Sequence, residues 1–167
     1  HIVTTAHYNG KIPRNPFAMY HVDPDHKERE FLTLDELTAK TEIKLEDRNM
    51  AFARDLFIFG CWTGISFIDI KNLTEDNICI VNGAPWIVSK RQKTGVPFQI
   101  KLMDIPIQII ERYKSFRKDC HLFHIGDHGT INKHIKRVAA MCGIKKQVSF
   151  HVSRHSWAVL ALEYGMP

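Results

Sequence analysis

Three short runs rich in β-branched and aromatic residues, Ile78–Val81, Pro85–Lys90 and Pro97–Leu102, constrain this chain more than any other stretch. Asn82-Gly83 between the first two supplies residues that take positive φ readily, as a two-residue type I′ hairpin requires. Lys93-Thr94-Gly95 marks the second reversal. Reversals this short predict a small three-stranded antiparallel sheet, because parallel neighbours need a long crossover. The flanking segments read as helix. Thr33-Leu34-Asp35-Glu36 is a capping box and predicts a helix over about 34–41. From Glu46 to about Cys61, Met50, Ala53, Leu56, Phe57 and Phe59 recur at helical spacing, with Asp47, Arg48, Arg54 and Asp55 on the opposite face. Thr63-Gly64 breaks that helix, and Ile65 to Leu73 forms a second helical piece before the turn at Thr74-Glu75-Asp76-Asn77.

Beyond the sheet, Asp104-Ile105-Pro106 opens a helix to about Lys118. Another, from about Thr130 to Cys142, turns Ile131, Ile135, Val138, Ala139 and Cys142 inward and ends at Gly143. A last helix follows Ser149 as its cap and stops before Gly165. The fold class is therefore α+β, a mainly helical domain with one small antiparallel sheet. Residues 1–29 are polar and poorly periodic, broken by Asn9-Gly10, Pro13, Asn15-Pro16 and Asp23-Pro24. They are expected to be a linker or the tail of a preceding domain, with the folded domain over 30–167. The abrupt start at His1 reads as a segment of a longer protein.

The net charge of +5 is unevenly placed. Residues 1–77 hold 9 Lys/Arg against 13 Asp/Glu, a net of −4, and residues 78–167 hold 14 against 5, a net of +9. Lys133, Lys136, Arg137, Lys145, Lys146 and Arg154 occur with no acid between His128 and Leu162. Such a basic half favours a polyanionic partner, most simply nucleic acid. The first five of these, with Lys90, are the candidate DNA-binding residues. No apolar run approaches the roughly 20 residues of a membrane span, and no signal pattern opens the chain. Cys61, Cys79, Cys120 and Cys142 form no CxxC pair and are expected as reduced, buried thiols of a cytoplasmic protein.

The candidate chemistry starts in Ser149–Ala158. His151 and Arg154 are three apart and share a helix face. A cation and a base on an otherwise apolar helix are costly to bury unpartnered. Phosphate suits them, since guanidinium binds it in bidentate fashion. From these residues alone, a core histidine beside a surface arginine is an equal alternative. Arg91 and Lys93 flank Gln92, and in an extended strand they face one side. Taken alone they read better as a solvated hairpin tip. Together the four residues would supply what metal-free phosphoryl transfer needs: positive charge for non-bridging oxygens and a proton donor for the leaving oxygen. His121, His124 and His128 lack a Cys, Asp or Glu partner in a recognisable metal pattern, so no metal is expected. A Gly-rich phosphate loop, a GxSxG elbow and a glycosidase carboxylate pair are all missing.

Thr63-Gly64-Ile65-Ser66-Phe67-Ile68-Asp69-Ile70, then Gln92-Lys93-Thr94-Gly95, then His151-x-x-Arg154-His155 stand in the order and approximate spacing of the tyrosine recombinases, the family of phage lambda integrase and the Xer recombinases. From about Glu30 onward the chain resembles their catalytic domain. Asn15-Pro16-Phe17 followed by Phe31-Leu32-Thr33 is similar to integrases of Bacteroides-type mobile elements. The resemblance implies the tyrosine recombinase catalytic-domain fold and site-specific DNA recombination or integration. In that chemistry a tyrosine hydroxyl attacks a DNA phosphodiester, leaving a 3′-phosphotyrosine and a 5′-hydroxyl that then attacks the partner strand. Bond energy is conserved, so no cofactor, ATP or metal is implied. By the same resemblance Arg154 would bind the scissile phosphate, Lys93 would protonate the 5′ oxygen, and His151 would assist proton transfer and contact the phosphate. Asp69 matches the family's acidic supporting position, and His155 would pack beside the site.

Two departures stand out. Ser66 occupies the place of the family's first catalytic arginine, and a hydroxyl carries no full charge; Arg91 is expected to take over that phosphate contact. The family's nucleophile lies on a later helix. Tyr8, Tyr20 and Tyr113 match no motif, and Tyr164 sits in an apolar pattern that predicts core packing. The catalytic domain is therefore expected to stop at Pro167 short of its nucleophile. Alone it would be inactive and monomeric; full-length, it would join a synaptic tetramer on double-stranded recombination sites. A non-catalytic DNA-binding module on the same scaffold remains an alternative, as does a type IB topoisomerase-like enzyme, which the hairpin and lead-in match less well.

Overall fold

The computed structural model describes residues 2–17, 19 and 30–165. In chain order the elements are α1 (Ile2–Tyr8), α2 (Leu34–Glu42), α3 (Arg48–Thr63), α4 (Phe67–Lys71), β1 (Ile78–Val81), β2 (Ala84–Lys90), β3 (Pro97–Lys101), α5 (Asp104–Tyr113), α6 (His128–Met141) and α7 (Phe150–Glu163). The sheet is antiparallel in the order β1-β2-β3, as predicted, with Cys79 opposite Trp86 and Trp86 opposite Lys101. Asn82 and Gly83 take φ of 51° and 78°, the pair of positive values that a type I′ turn demands. The capping box of α2 also forms, with Thr33 Oγ1 accepting from the Glu36 N–H and Glu36 Oε2 from the Thr33 N–H. The third strand hands over to α5 through a bond from Leu102 N–H to Pro85 O of 2.9 Å.

The organising element is α3. Asp47 caps its start through the Asn49 and Met50 N–H groups, and Gly64 in the left-handed region closes its end. Helices α2, α5, α6 and α7 pack around it. Hence every residue from Ala53 to Cys61 is buried, Arg54 and Asp55 among them. The predicted charged outer face is corrected in part: Asp47 and Arg48 at the start of α3 are exposed, whereas the packed helices cover Arg54 and Asp55. Asp55 compensates by accepting from Arg54 Nε (2.8 Å), Arg112 Nη1 (2.7 Å) and the Tyr113 hydroxyl (2.8 Å), while Arg54 also donates to Ile43 O at 2.7 Å.

Other expectations shift in detail. The piece predicted over Ile65–Leu73 is helical only across α4, and Thr74 then pairs with His121 in an isolated bridge. Residues 2–8 form a short helix that buries none of its side chains. The breaker Asp23-Pro24 and Tyr20 lie outside the described residues. All four cysteines are free, yet only Cys61 is buried and Cys120 is exposed, because it sits in the loop after α5 and not on a core face.

Lys40 is fully buried, its ammonium 4.0 Å from the Phe57 ring centre and 3.5 Å from Ile135 O. Burial lowers its pKa to about 8, against the weaker opposing fields of Cys61 and Cys142. A lysine whose folded pKa lies below its unfolded value binds fewer protons when folded, so stability rises with pH from about 8 towards 10.5. Burial pushes the Cys61 thiol and the Tyr113 phenol the other way, so wild type alone would show a mixture. The difference between wild type and Lys40→Met isolates the lysine. In urea titrations the variant is expected to be more stable by on the order of 3 kcal/mol at pH 7, with the gap closing as pH approaches 10.

Candidate functional site

Asp69 joins two segments far apart in sequence, and a third lies beside them. The approach to it starts where α3 ends: Thr63 Oγ1 turns back onto Phe59 O at 2.7 Å, and Gly64 follows at φ 65°. A Cβ on Gly64 would sit 2.6 Å from Trp157 Cδ2, and one on Gly60 would sit 2.6 Å from Ser153 Oγ. These two close approaches seat α7 directly on α3 and thereby set the position of Arg154. Ser66 then caps α4. Its Oγ accepts from the Asp69 N–H at 3.4 Å and donates to Asp69 Oδ2 at 2.6 Å. Asp69 Oδ1 accepts the Gln92 N–H at 2.8 Å, which ties the β2–β3 link to α4.

Arg91 Nη1 lies 3.9 Å from Asp69 Oδ2, its guanidinium 5.7 Å from the Phe98 ring centre. Half-buried Arg154 feels both neighbours. Burial lowers its pKa first, the Arg91 cation lowers it further, and Asp69 opposes them. One guanidinium thus pairs with the buried carboxylate, and a second lies in the field of both. A cleft of about 580 Å³ opens beside Arg154, lined among others by Ser66, Lys71, His128 and His151. His151 is exposed, and its ring stands at 89° to that of half-buried His155 with centroids 4.5 Å apart.

The strand-face pairing of Arg91 with Lys93 does not form. β2 ends at Lys90, and bonds from Arg91 N–H to Val96 O (2.9 Å) and from Gly95 N–H to Arg91 O (2.7 Å) close a turn in between. The turn sends Arg91 inward to Asp69 and leaves Lys93 exposed. Lys90, Lys133, Lys136, Arg137 and Lys145 are exposed as well. Lys146 is engaged within the fold, donating to Phe31 O (2.9 Å) and to Glu36 Oε2 (2.6 Å). Tyr164, expected in the core, is 71% exposed because α7 has already ended beneath it. None of the three described tyrosines, Tyr8, Tyr113 and Tyr164, lines the cleft. His121 Nδ1 pairs with Asp119 at 3.0 Å, and among the described residues no three His, Cys, Asp or Glu side chains are placed to hold a metal.

The start of α7 holds a further surprise. Ser149 occupies the N-cap position, but its side chain makes no capping bond. Asn132 of α6 does this instead, with Oδ1 accepting the Phe150 N–H at 2.7 Å, while its Nδ2 lies 3.1 Å from His128 Nε2. Sequence reasoning missed Asn132 and Lys71, and weighed His128 only as a metal ligand, which it set aside. For Lys71 the available signal was its place two residues after Asp69. Nothing in the sequence marks a cap that reaches from one helix to another.

The helices wrapped around α3, the three-stranded sheet against them, and a basic cluster where α4, the β2–β3 link and α7 meet define the fold of a tyrosine recombinase catalytic domain. Solved structures of that fold superimpose on it. The XerH site-specific recombinase bound to difH substrate matches with a TM-score of 0.68 at 17% identity, over 83% of this chain and 44% of that one. A lambda integrase dimer bound to a COC′ core site matches with 0.71 at 19% identity, over 97% and 63%. The Tn1549 transposon integrase in complex with circular intermediate DNA matches with 0.72 at 18% identity, over 98% and 63%. The chain thus spans about half to three fifths of the length of these structures. No family model and no curated protein sequence matches it.

Proposed function

We propose that this chain is the catalytic domain of a site-specific DNA recombinase, an integrase of a mobile element similar to the Bacteroides type, which breaks and rejoins strands by metal-free phosphoryl transfer through a 3′-phosphotyrosine. One observation carries the reading: Arg91 pairs with Asp69, and Arg154 lies within the field of both beside a cleft lined by His151. Two cations around one carboxylate leave positive charge in excess. The non-bridging oxygens of a phosphodiester balance such charge with directed, charge-assisted bonds.

In this mechanism Arg154 and Arg91 hold the non-bridging oxygens as negative charge builds on them. A tyrosine Oη forms its bond to phosphorus while the P–O5′ bond breaks, and His151 assists transfer of the tyrosine proton. The Lys93 ammonium, carried on the turn, delivers a proton to O5′. The freed 5′-hydroxyl of the partner duplex then attacks the phosphotyrosine and restores the phosphodiester. Ser66 is committed to Asp69 and takes no charge role. The tyrosine would come from a segment other than those lining the cleft, within a synaptic tetramer on two duplex sites. Residues 1–29 would link the domain to an upstream DNA-binding unit. Exposed Lys90, Lys133, Lys136, Arg137 and Lys145 would follow the DNA backbone of a cytoplasmic recombination complex.

Arg91→Ala in the full-length protein is expected to slow cleavage of a nicked duplex by about 10²-fold or more. Cleavage close to wild type would remove Arg91 from the site. The second reading, a DNA-binding module without catalysis, is favoured by one observation, the uncharged and internally bonded Ser66. It predicts DNA binding without any covalent adduct.

A further inference from the structure

We infer that the cleft holds a second backbone phosphate of the same DNA, on a wall made by Lys71 and His128, with Asn132 as the positioning residue; this rests on the recombinase reading and extends its substrate contacts. The basic residues lining the cleft fall into two groups by element. His151 and Arg154 on α7 form one, and Lys71 on α4 with His128 at the start of α6 form the other. Nothing in the cleavage chemistry uses the second group.

His128 is oriented by its neighbour. Asn132 Oδ1 is committed to the Phe150 N–H, so the amide must turn its NH₂ group towards His128 Nε2. Nε2 therefore accepts, and the neutral ring carries its proton on Nδ1. The ring is also seated against Phe67, with centroids 4.4 Å apart. Among the described residues Nδ1 has no hydrogen-bond partner, and the Lys71 ammonium has no ion pair. The wall thus offers an oriented N–H donor and a solvated cation. Asp127 lines the cleft too, but its Oδ2 accepts the Thr130 N–H (2.9 Å) and the Thr130 hydroxyl (3.3 Å) at the start of α6. Its Oδ2 is thus turned to the helix start, and the Lys71 ammonium in the same lining offsets the charge it keeps. A DNA strand carries a phosphate roughly every 3.4 Å of axis, so one lying on Arg154 brings its neighbours within reach of the rest of the cleft lining.

The test uses the full-length protein and duplex oligonucleotides from the element's end, each with a single methylphosphonate, scanned across the region the protein protects. Relative to wild type, the Lys71→Ala/His128→Ala double variant is expected to bind unmodified duplex about tenfold more weakly, with a salt slope smaller by about one. One methylphosphonate that weakens wild type should cost the double variant nothing more. His128→Asn, which keeps an amide N–H near the Nδ1 position, should retain binding that His128→Gln loses, at equal melting temperatures. Wild-type affinity and salt slope in the double variant would overturn the second phosphate site, as would methylphosphonate effects unchanged by it at every position. If the wall couples to one phosphate but no covalent adduct forms, the site stands and the recombinase reading falls. If the adduct forms and the wall couples to none, the site alone falls.

Discussion

Arg154→Ala in the full-length protein is expected to lower DNA strand cleavage by roughly 10²–10³-fold without lowering the melting temperature. The two halves of this expectation have a common cause. Arg154 is half-buried and lies in the field of the Arg91 cation, which Asp69 only partly offsets, so its charge is held at a cost in the DNA-free protein. Removing it relieves the repulsion between two guanidiniums and leaves Asp69 with its bonds from Ser66 and the Gln92 N–H. The folded state therefore loses little. The transition state loses a preorganised, charge-assisted contact where negative charge accumulates, and water entering the vacated space must reorganise to replace it. Arg154→Lys should fall between the two, because an ammonium restores charge without the two-pronged geometry. Single-turnover cleavage of a nicked duplex, measured beside a thermal melt, separates these effects. A variant that cleaves normally, or that fails only because it unfolds, would contradict the assignment.

Asp55→Ala is expected to cost about 3–5 kcal/mol of stability, a large part of the 5–15 kcal/mol typical of a domain. Asp55 is 2% exposed and accepts from Arg54, Arg112 and Tyr113 at 2.7–2.8 Å. Truncation leaves the buried Arg54 guanidinium with only the Ile43 and Thr41 carbonyls. It also leaves the Tyr113 hydroxyl without its acceptor. The expected reading is a clear fall in urea midpoint and a melting temperature lower by on the order of 10 °C. Burial, and then the Asp55 carboxylate, push the Tyr113 phenol well above its ordinary range. Tyrosine titration in the variant should therefore shift back down while wild type resists. The clasp matters for the site because it joins α5 to α3, and α3 delivers Gly64 and Ser66 to the cleft. An unchanged midpoint would mean the three donors find other partners.

Much of the architecture was legible in the sequence because its signals are local. Asn82-Gly83 sets its hairpin through the φ values its two residues tolerate, and the Thr33–Glu36 capping box closes within one turn. Arg54 and Asp55 mislead because helical periodicity describes one helix and carries no information on how many neighbours surround it. The site was legible as a set of residues and not as a geometry. His151, Arg154 and Ser66 line one cleft, with Asp69 bonded to Ser66 beside it. Arg91 and Lys93 part because the strand stops at Lys90, and a rule about strand faces fails beyond the last ladder bond. Lys146 belongs to a run of basic residues that reads as one surface, yet it turns in to Glu36. Asn132 caps a helix eighteen residues downstream, a contact that only the packing of α6 beside α7 creates.

The most direct test of the account is formation of a covalent protein–DNA adduct. The full-length protein is incubated with a nicked duplex from the element's end, in EDTA, and resolved on a denaturing gel. The account predicts a slow-migrating species that resists denaturation, carries the 3′ side of the break and forms equally well with metal chelated. Binding of the duplex with no adduct, or an adduct that needs a divalent ion, would contradict it.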